Sequence, residues 1–276
     1  MPIRSMSRVS ISGCSYLFVP ADRPERFAKA LASGAGAVIV DLEDAVAPAA
    51  RATARSALAA WLAGPAAAPV ALRINAAGTP WFADDLQLAR HPMVVAVVVP
   101  KAEGAALLAP VAALARPLLP LVESAAGFDA LHEIAAVPGV QRLLFGSIDF
   151  QADLGIEGDD DALLFFRSQL VLASRLAGLA APVDGVTTVV DDEAAVTHDT
   201  LRARRLGFGA KLCIHPRQVA VVNRGFRPSP AEADWAHRVL AAAGAEGAGG
   251  VVTVDGKMVD APVLLRARAL LARLQP

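Results

Sequence analysis

ValValAlaValValValProLys, residues 94–101, is the stretch whose pattern decides the fold class. Six apolar residues run without polar alternation, and an Ala-rich helical pattern from Glu103 to Leu114 follows. A strand wetted on one face alternates, whereas a continuous β-branched run is expected where helices cover both faces of a parallel sheet. The same unit recurs on either side. Upstream, strands are expected at 16–19, 37–42 and 70–74, with helices at 23–31, 50–62 and 81–88. Downstream, strands at 118–122, 140–145, 182–186 and 210–214 alternate with helices at 128–136, 163–176 and 193–206. About eight βα units result, the number that closes a barrel. The expected class is therefore α/β, a (β/α)8 TIM barrel over residues 1–225 with a C-terminal helical arm or lid over 226–276.

The arm has its own signals. Helices at 231–243 and 263–274 flank a Gly/Ala-rich hinge at 244–250, and AspGly at 255–256 marks a hairpin turn. The length of 276 residues suits one barrel with such an addition. Lys+Arg 26 against Asp+Glu 27 leaves a net charge of -1, which gives no electrostatic reason to expect nucleic acid or an anionic membrane. Mean hydropathy is high at +0.46, yet the longest apolar candidate, 104–122, is broken by Pro110, Arg116, Pro117 and Pro120. No membrane span is expected. Arg4 and Arg8 precede no apolar core or small-residue cleavage site, so the expected location is cytoplasmic. Cys14 and Cys213 lie far apart in no ligand spacing, and Cys213, inside an apolar run, is expected to be a packing residue.

In a barrel, chemistry collects at the C-terminal ends of the strands. Those ends carry Asp41, Glu43 and Asp44; Arg73 and Asn75; Pro100 and Lys101; Glu123; Ser147 and Asp149; Asp184; and His215. Oxygen ligands without clustered Cys or His point to a hard cation, and Mg²⁺ takes one or two carboxylates plus waters and substrate oxygens. Glu123 and Asp149, expected on adjacent strands, are the natural pair. Arg73 offers a planar guanidinium to a carboxylate or a developing oxyanion. Asp41, Glu43 and Asp44 fit the role of orienting it or a metal-bound water. The structural alternative is that these acids cap helices or pair with Arg73 inside the barrel, and that His215 only satisfies backbone groups before Pro216.

Together, SerTyrLeuPheValPro at 15–20, AspLeuGluAspAlaVal at 41–46, ArgIleAsn at 73–75, ValProLys at 99–101, LeuValGluSerAlaAlaGly at 121–127, PheGlySerIleAspPheGlnAlaAspLeuGly at 145–155, GlyPheGlyAlaLysLeuCysIleHisProArgGln at 207–218 and AspGlyLysMetValAspAlaPro at 255–262 resemble the aldolase/citrate lyase superfamily. The chain is most similar there to citrate lyase β-subunit-like proteins, which include malyl-CoA and citramalyl-CoA lyases. The resemblance implies a Mg²⁺-dependent lyase cleaving a 3-hydroxyacyl thioester to acetyl-CoA and a 2-oxo acid. It implies Glu123 and Asp149 as metal ligands, and Arg73, with Glu123, at the substrate. Phe18 and Lys29 match positions that hold the CoA nucleotide, and Arg23 and Arg26 join them by charge and position. Asp260 resembles an acid that some lyases insert into a neighbouring subunit as proton donor or acceptor, and a homotrimer or hexamer is implied with it. Two departures stand out: Ala21 where relatives commonly have Gly, and Thr187 where they often have an aromatic. Alternatives left open are a citrate lyase β-subunit acting on a citryl group on an acyl carrier protein, a malyl-CoA thioesterase, and a non-catalytic acyl-CoA-binding barrel.

Overall fold

The computed structural model describes residues 11, 13–245 and 252–274. They divide into two compact units, the first ending at Asn223 and the second beginning at Arg224. Arg4, Arg8 and most of the expected hinge at 244–250 lie outside the described residues.

The first unit is a closed parallel barrel with strands in chain order: β1 (Ser15–Pro20), β2 (Ala37–Asp41), β3 (Val70–Arg73), β4 (Val94–Val99), β5 (Leu118–Val122), β6 (Leu144–Phe145), β7 (Val183–Asp184) and β8 (Ala210–Cys213). β8 closes on β1 through the register pairs Ser15 with Lys211 and Leu17 with Cys213. Alternate residues fill the inside: Tyr16, Ile39, Ala71, Val98, Leu119, Leu121, Leu144, Val183, Ala210 and Leu212 pack into one buried cluster. The intervening residues, such as Leu17, Val40, Leu72, Val97 and Val122, are equally buried against the surrounding helices. Burial on both faces is the physical source of the unbroken apolar runs. Each buried Val, Leu or Ile side chain contributes roughly 1.5–3 kcal/mol by leaving water.

Three expectations at the element level are corrected. The strand at 140–145 is reduced to β6, with a single bridge from Val140 to Leu118, and the one at 182–186 to β7. Pro182 has no N–H to give a ladder, and the Arg142 side chain is spent on the Ala181 carbonyl and, at 2.9 Å, the Tyr16 hydroxyl. The helix at 128–136 is two, Ala125–Asp129 and Leu131–Ala135. Ser124 fixes the start of the first by accepting a hydrogen bond from the Gly127 N–H at 3.2 Å. Between β6 and Leu164–Leu176 lies an unforeseen helix, Ser147–Leu154, ended by Gly155 in the left-handed conformation at φ 66°.

The second unit packs Pro230–Ala245 and Ala261–Ala272 through Ala236, Val239, Ala267 and Leu270. Its hairpin, β9 (Val252–Val254) with β10 (Lys257–Val259), turns at Asp255 and Gly256, both with positive φ, as the AspGly pair requires. Among the described residues no helix is long and apolar enough to cross a membrane.

Cys213 is fully buried, and burial pushes its thiol up to about 12, against the opposing pull of Lys211. A Cys14→Ser variant at pH 8 should therefore give no thiol signal with an aromatic disulfide reagent when folded and one thiol per chain in denaturant. Stoichiometric reaction of the folded variant would contradict this placement.

Candidate active site

The inward alternation that builds the core also builds the site, because one step further along β2, β3 and β5 the small and apolar residues give way to charge, and along β1 to an aromatic ring. Ala37 and Ile39 lead to Asp41, Ala71 to Arg73, Leu119 and Leu121 to Glu123, and Tyr16 to Phe18. Asp41 and Arg73 are register partners across β2 and β3, so their side chains leave the sheet side by side. The Arg73 Nε and Nη2 donate to the two Asp41 oxygens at 2.6 and 2.5 Å. Its Nη1 donates to Asp44 at 3.0 Å and lies 3.2 Å from Glu43. The Phe18 ring lies against the guanidinium, 4.7 Å from its centre. Burial alone would lower the Arg73 pKa, but the charge and hydrogen bonds of Asp41, then Glu43 and Asp44, outweigh it. Arg73 is therefore a permanent cation of fixed orientation. The pairing with Asp41, Glu43 and Asp44 places all three acids where they orient it.

Glu123 stands at the top of β5. Its Oε1 accepts the Lys101 N–H at 2.7 Å, while its buried Oε2 has no hydrogen-bond partner. Gly146 makes room for it, since a Cβ there would come 2.5 Å from the Glu123 Cβ and 2.7 Å from Oε2. Burial, with the Asp149 charge, pushes Glu123 up to about 7 despite the Lys101 hydrogen bond and charge. Asp149 lies not at a strand end but in the first turn of Ser147–Leu154, half-exposed, with the Lys101 Nζ 3.8 Å from its Oδ1. That helix leaves β6 immediately and swings Asp149 over the mouth beside Glu123.

Arg73, Glu123, Asp149, Asp41, Asp44 and Phe18 line one cavity of about 340 Å³ whose opposite wall is apolar, with Val186, Leu212 and Ile214. Five carboxylates, counting Glu43, meet two cations, Arg73 and Lys101. A divalent cation fits this excess and the orphaned Glu123 oxygen. Among the described residues no three His, Cys, Asp or Glu side chains form a metal cluster. Glu123 and Asp149 are two carboxylates facing one Lys101 ammonium at the cavity, and Mg²⁺ is a cation that can bind through one or two carboxylates with water and substrate oxygens.

Other strand-end residues go elsewhere. Asp184 points out of the barrel to Arg167 at 2.8 Å, and Asn75 is tied to Asp85. His215 accepts the Arg217 N–H at 3.2 Å, a backbone role. Arg23 and Arg26 are exposed beside Asp22 and Glu25 at 3.9 and 4.0 Å, and Lys29 is exposed; none lines the cavity. Ala21 is buried without positive φ, so no Gly is needed there, and Thr187 is spent on Asp199 at 2.6 Å. Asp260, in the second unit, is exposed and caps Ala261–Ala272 by accepting the Val263 N–H at 3.1 Å. Sequence reasoning missed Gly146 and gave Lys101 no task. The GlySer pair after the LeuPhe strand signals a close approach only once its neighbour Glu123 is known.

The model of the HpcH/HpaI aldolase/citrate lyase family matches residues 14–216, the whole barrel. The chain belongs to that family. Within it the protein is citrate lyase β-subunit-like, and a lyase by membership. It is 40% identical over 274 residues to a citrate lyase subunit beta-like protein of Deinococcus radiodurans, covering 94% of this chain and 96% of that one. It is 36% identical over 269 residues to a (3S)-malyl-CoA thioesterase of Cereibacter sphaeroides, covering 95% and 94%. Among solved structures it resembles CitE from Mycobacterium tuberculosis in complex with magnesium, acetoacetate and coenzyme A, at TM-score 0.85 and 38% identity over 96% of this chain and 99% of that one.

Glu43 gives this lyase barrel a pH signature. Burial first, then Asp44, Glu123 and Asp41, raise it from 4.5 to about 8 against the pull of Arg73. A raised folded-state value means that stability is complete below about 4.5 and falls as pH rises toward 8. In metal-free protein Glu43→Gln should melt higher than the unaltered chain at pH 8, with the gap closing by pH 5. A gap that is constant with pH would refute the shift.

Proposed function

We propose that the protein is a Mg²⁺-dependent carbon–carbon lyase that cleaves a short 3-hydroxyacyl thioester of the malyl-CoA or citramalyl-CoA type into acetyl-CoA and a 2-oxo acid. The observation that carries this reading is the placement of a fixed Arg73 and the Glu123–Asp149 carboxylate pair around one 340 Å³ cavity. Mg²⁺ held by Glu123 and Asp149 would supply Lewis-acid polarisation of the oxygens on the 2-oxo acid half. Magnesium accompanies CitE of Mycobacterium tuberculosis in its complexes with pyruvate and with oxaloacetate, which supports the choice of metal.

Cleavage requires loss of the β-hydroxyl proton, rupture of the adjacent C–C bond, and protonation of the departing thioester enolate at carbon. Arg73 is positioned for the charge that develops on the thioester oxygen, because its orientation is already set by Asp41 and needs no reorganisation during reaction. The wall of Val186, Leu212 and Ile214 excludes water from that carbanion-like centre. Asp260 serves as the proton acceptor and then the donor, brought by the arm of a neighbouring subunit. With this reading go a homotrimer, or a hexamer made of two trimers, as the working assembly and a cytoplasmic location. Phe18 and Lys29, with Arg23 and Arg26, serve the CoA moiety.

A second reading is favoured by the 36% identity to a malyl-CoA thioesterase: the same site followed by, or replaced with, thioester hydrolysis. A citrate lyase subunit beta of Leuconostoc mesenteroides, 30% identical over 277 residues, keeps a carrier-protein thioester in view as substrate. A panel of malyl-, methylmalyl-, citramalyl- and citryl-CoA with Mg²⁺ separates these. Release of 2-oxo acid with no free thiol is expected; free CoA without 2-oxo acid would replace the lyase reading by the thioesterase. Asp260→Asn keeps the helix cap, since Asn caps as well as Asp. It should cost about 100-fold or more in kcat, the scale of a lost acid–base group, with Mg²⁺ affinity and melting temperature unchanged. Retained turnover would remove Asp260 from the mechanism.

A further inference from the structure

Lys101 takes part in none of these steps, yet both ends of it are on the metal-site carboxylates. It follows β4 in a left-handed backbone conformation, φ 47°, which a side-chain-bearing residue adopts at a cost. That conformation sets its N–H on the Glu123 Oε1 at 2.7 Å. Its Nζ returns to the same oxygen at 3.7 Å and to the Asp149 Oδ1 at 3.8 Å. These are ion-pair separations, too long for hydrogen bonds. The ammonium therefore stands between the two carboxylates as a monovalent cation, without committing a lone pair of either. The Glu123 Oε2 remains without a hydrogen-bond partner, in the space that Gly146 leaves open. The Lys101 side chain is 40% exposed, so a route from this position toward solvent exists.

We propose that Lys101 is the resident counter-ion of the metal-free site: its ammonium holds Glu123 and Asp149 together until a divalent cation takes their oxygens, and then swings out into the mouth. The inference rests on the metal reading above. Two carboxylates this close repel, and in a buried setting their repulsion would drive Asp149 away or protonate Glu123. A tethered cation offsets that at no cost in translational entropy. Mg²⁺ binds oxygen at about 2.0–2.1 Å and displaces the ammonium because it offers twice the charge at little more than half the distance. Asp44, half-exposed, also attracts the ammonium and offers it a partner nearer solvent. Lys101 is thus a positioning residue that lowers apparent metal affinity. It also brings a positive charge to the entrance when the metal is in place, where a carboxylate-bearing thioester must pass.

Calorimetric titration of the full-length protein with Mg²⁺ alone tests this, comparing the unaltered chain with Lys101→Met, Lys101→Gly and Lys101→Arg. Met removes the charge at similar length, Gly removes it while suiting the left-handed backbone, and Arg keeps it. Met and Gly should bind Mg²⁺ about fivefold more tightly, the scale of one partly exposed ion pair, and gain more melting temperature from saturating Mg²⁺. Arg should match the unaltered chain. Equal or weaker binding by both Met and Gly, with binding intact in the unaltered chain, overturns the counter-ion role. No Mg²⁺ binding by the unaltered chain overturns the metal reading itself, and this inference with it.

Discussion

Arg73 is almost wholly buried at the top of β3, where an uncompensated guanidinium would cost several kcal/mol of desolvation. Asp41, its register partner on β2, answers it with two parallel hydrogen bonds. The rest of the mouth depends on that pair. Asp41 is itself fully buried and spends the same two oxygens on the Glu43 and Ala45 N–H groups at 2.9 and 3.0 Å, which curls the β2 loop so that Glu43 and Asp44 also face Arg73. Buried pairs of this kind are weak evidence for stability, since an apolar replacement is often no worse. Here the pair fixes geometry, and the fixed object is the cation that the proposed lyase reaction would use beside a developing oxyanion.

The second constraint is charge. Around Arg73 the fold gathers more negative charge than it can balance, and the imbalance is visible in Glu43 at about 8 and Glu123 at about 7. A barrel that needed only to fold would have no reason to keep these acids inside. They are kept together by one arginine, one strained lysine and the space left by a single glycine. The apolar half of the cavity, with Val186, Leu212 and Ile214, offers no further charge to balance these acids.

Much of this is legible in the sequence because it follows from period-two alternation. Once 94–99 is taken as a two-sided buried strand, the inward parity of each strand carries directly to Asp41, Arg73 and Glu123. The AspGly turn at 255–256 is legible for a similarly local reason, as both residues need positive φ. What escapes is whatever depends on neighbours distant in the chain. The shortness of β6 and β7 comes from Pro182 and from where Arg142 finds its partners. The helix Ser147–Leu154 starts at once after β6, so Asp149 reaches the site from a helical turn, not a strand end. Lys101 follows an ordinary ValPro pair, and nothing local announces its left-handed backbone or the carboxylate that holds it there. Arg23 and Arg26 lie exposed beside Asp22 and Glu25, outside the cavity, so the fold alone gives them no task there.

The proposed function stands on Glu123 and Asp149 holding a divalent cation that faces Arg73. A crystal of the protein grown with Mn²⁺ and a 2-oxo acid tests it most directly, through the anomalous signal of the metal. One strong peak within about 2.3 Å of a Glu123 and an Asp149 oxygen is expected, with the 2-oxo acid bound between the metal and Arg73. A mouth without a metal peak at saturating Mn²⁺, or a peak held by other side chains, would contradict it.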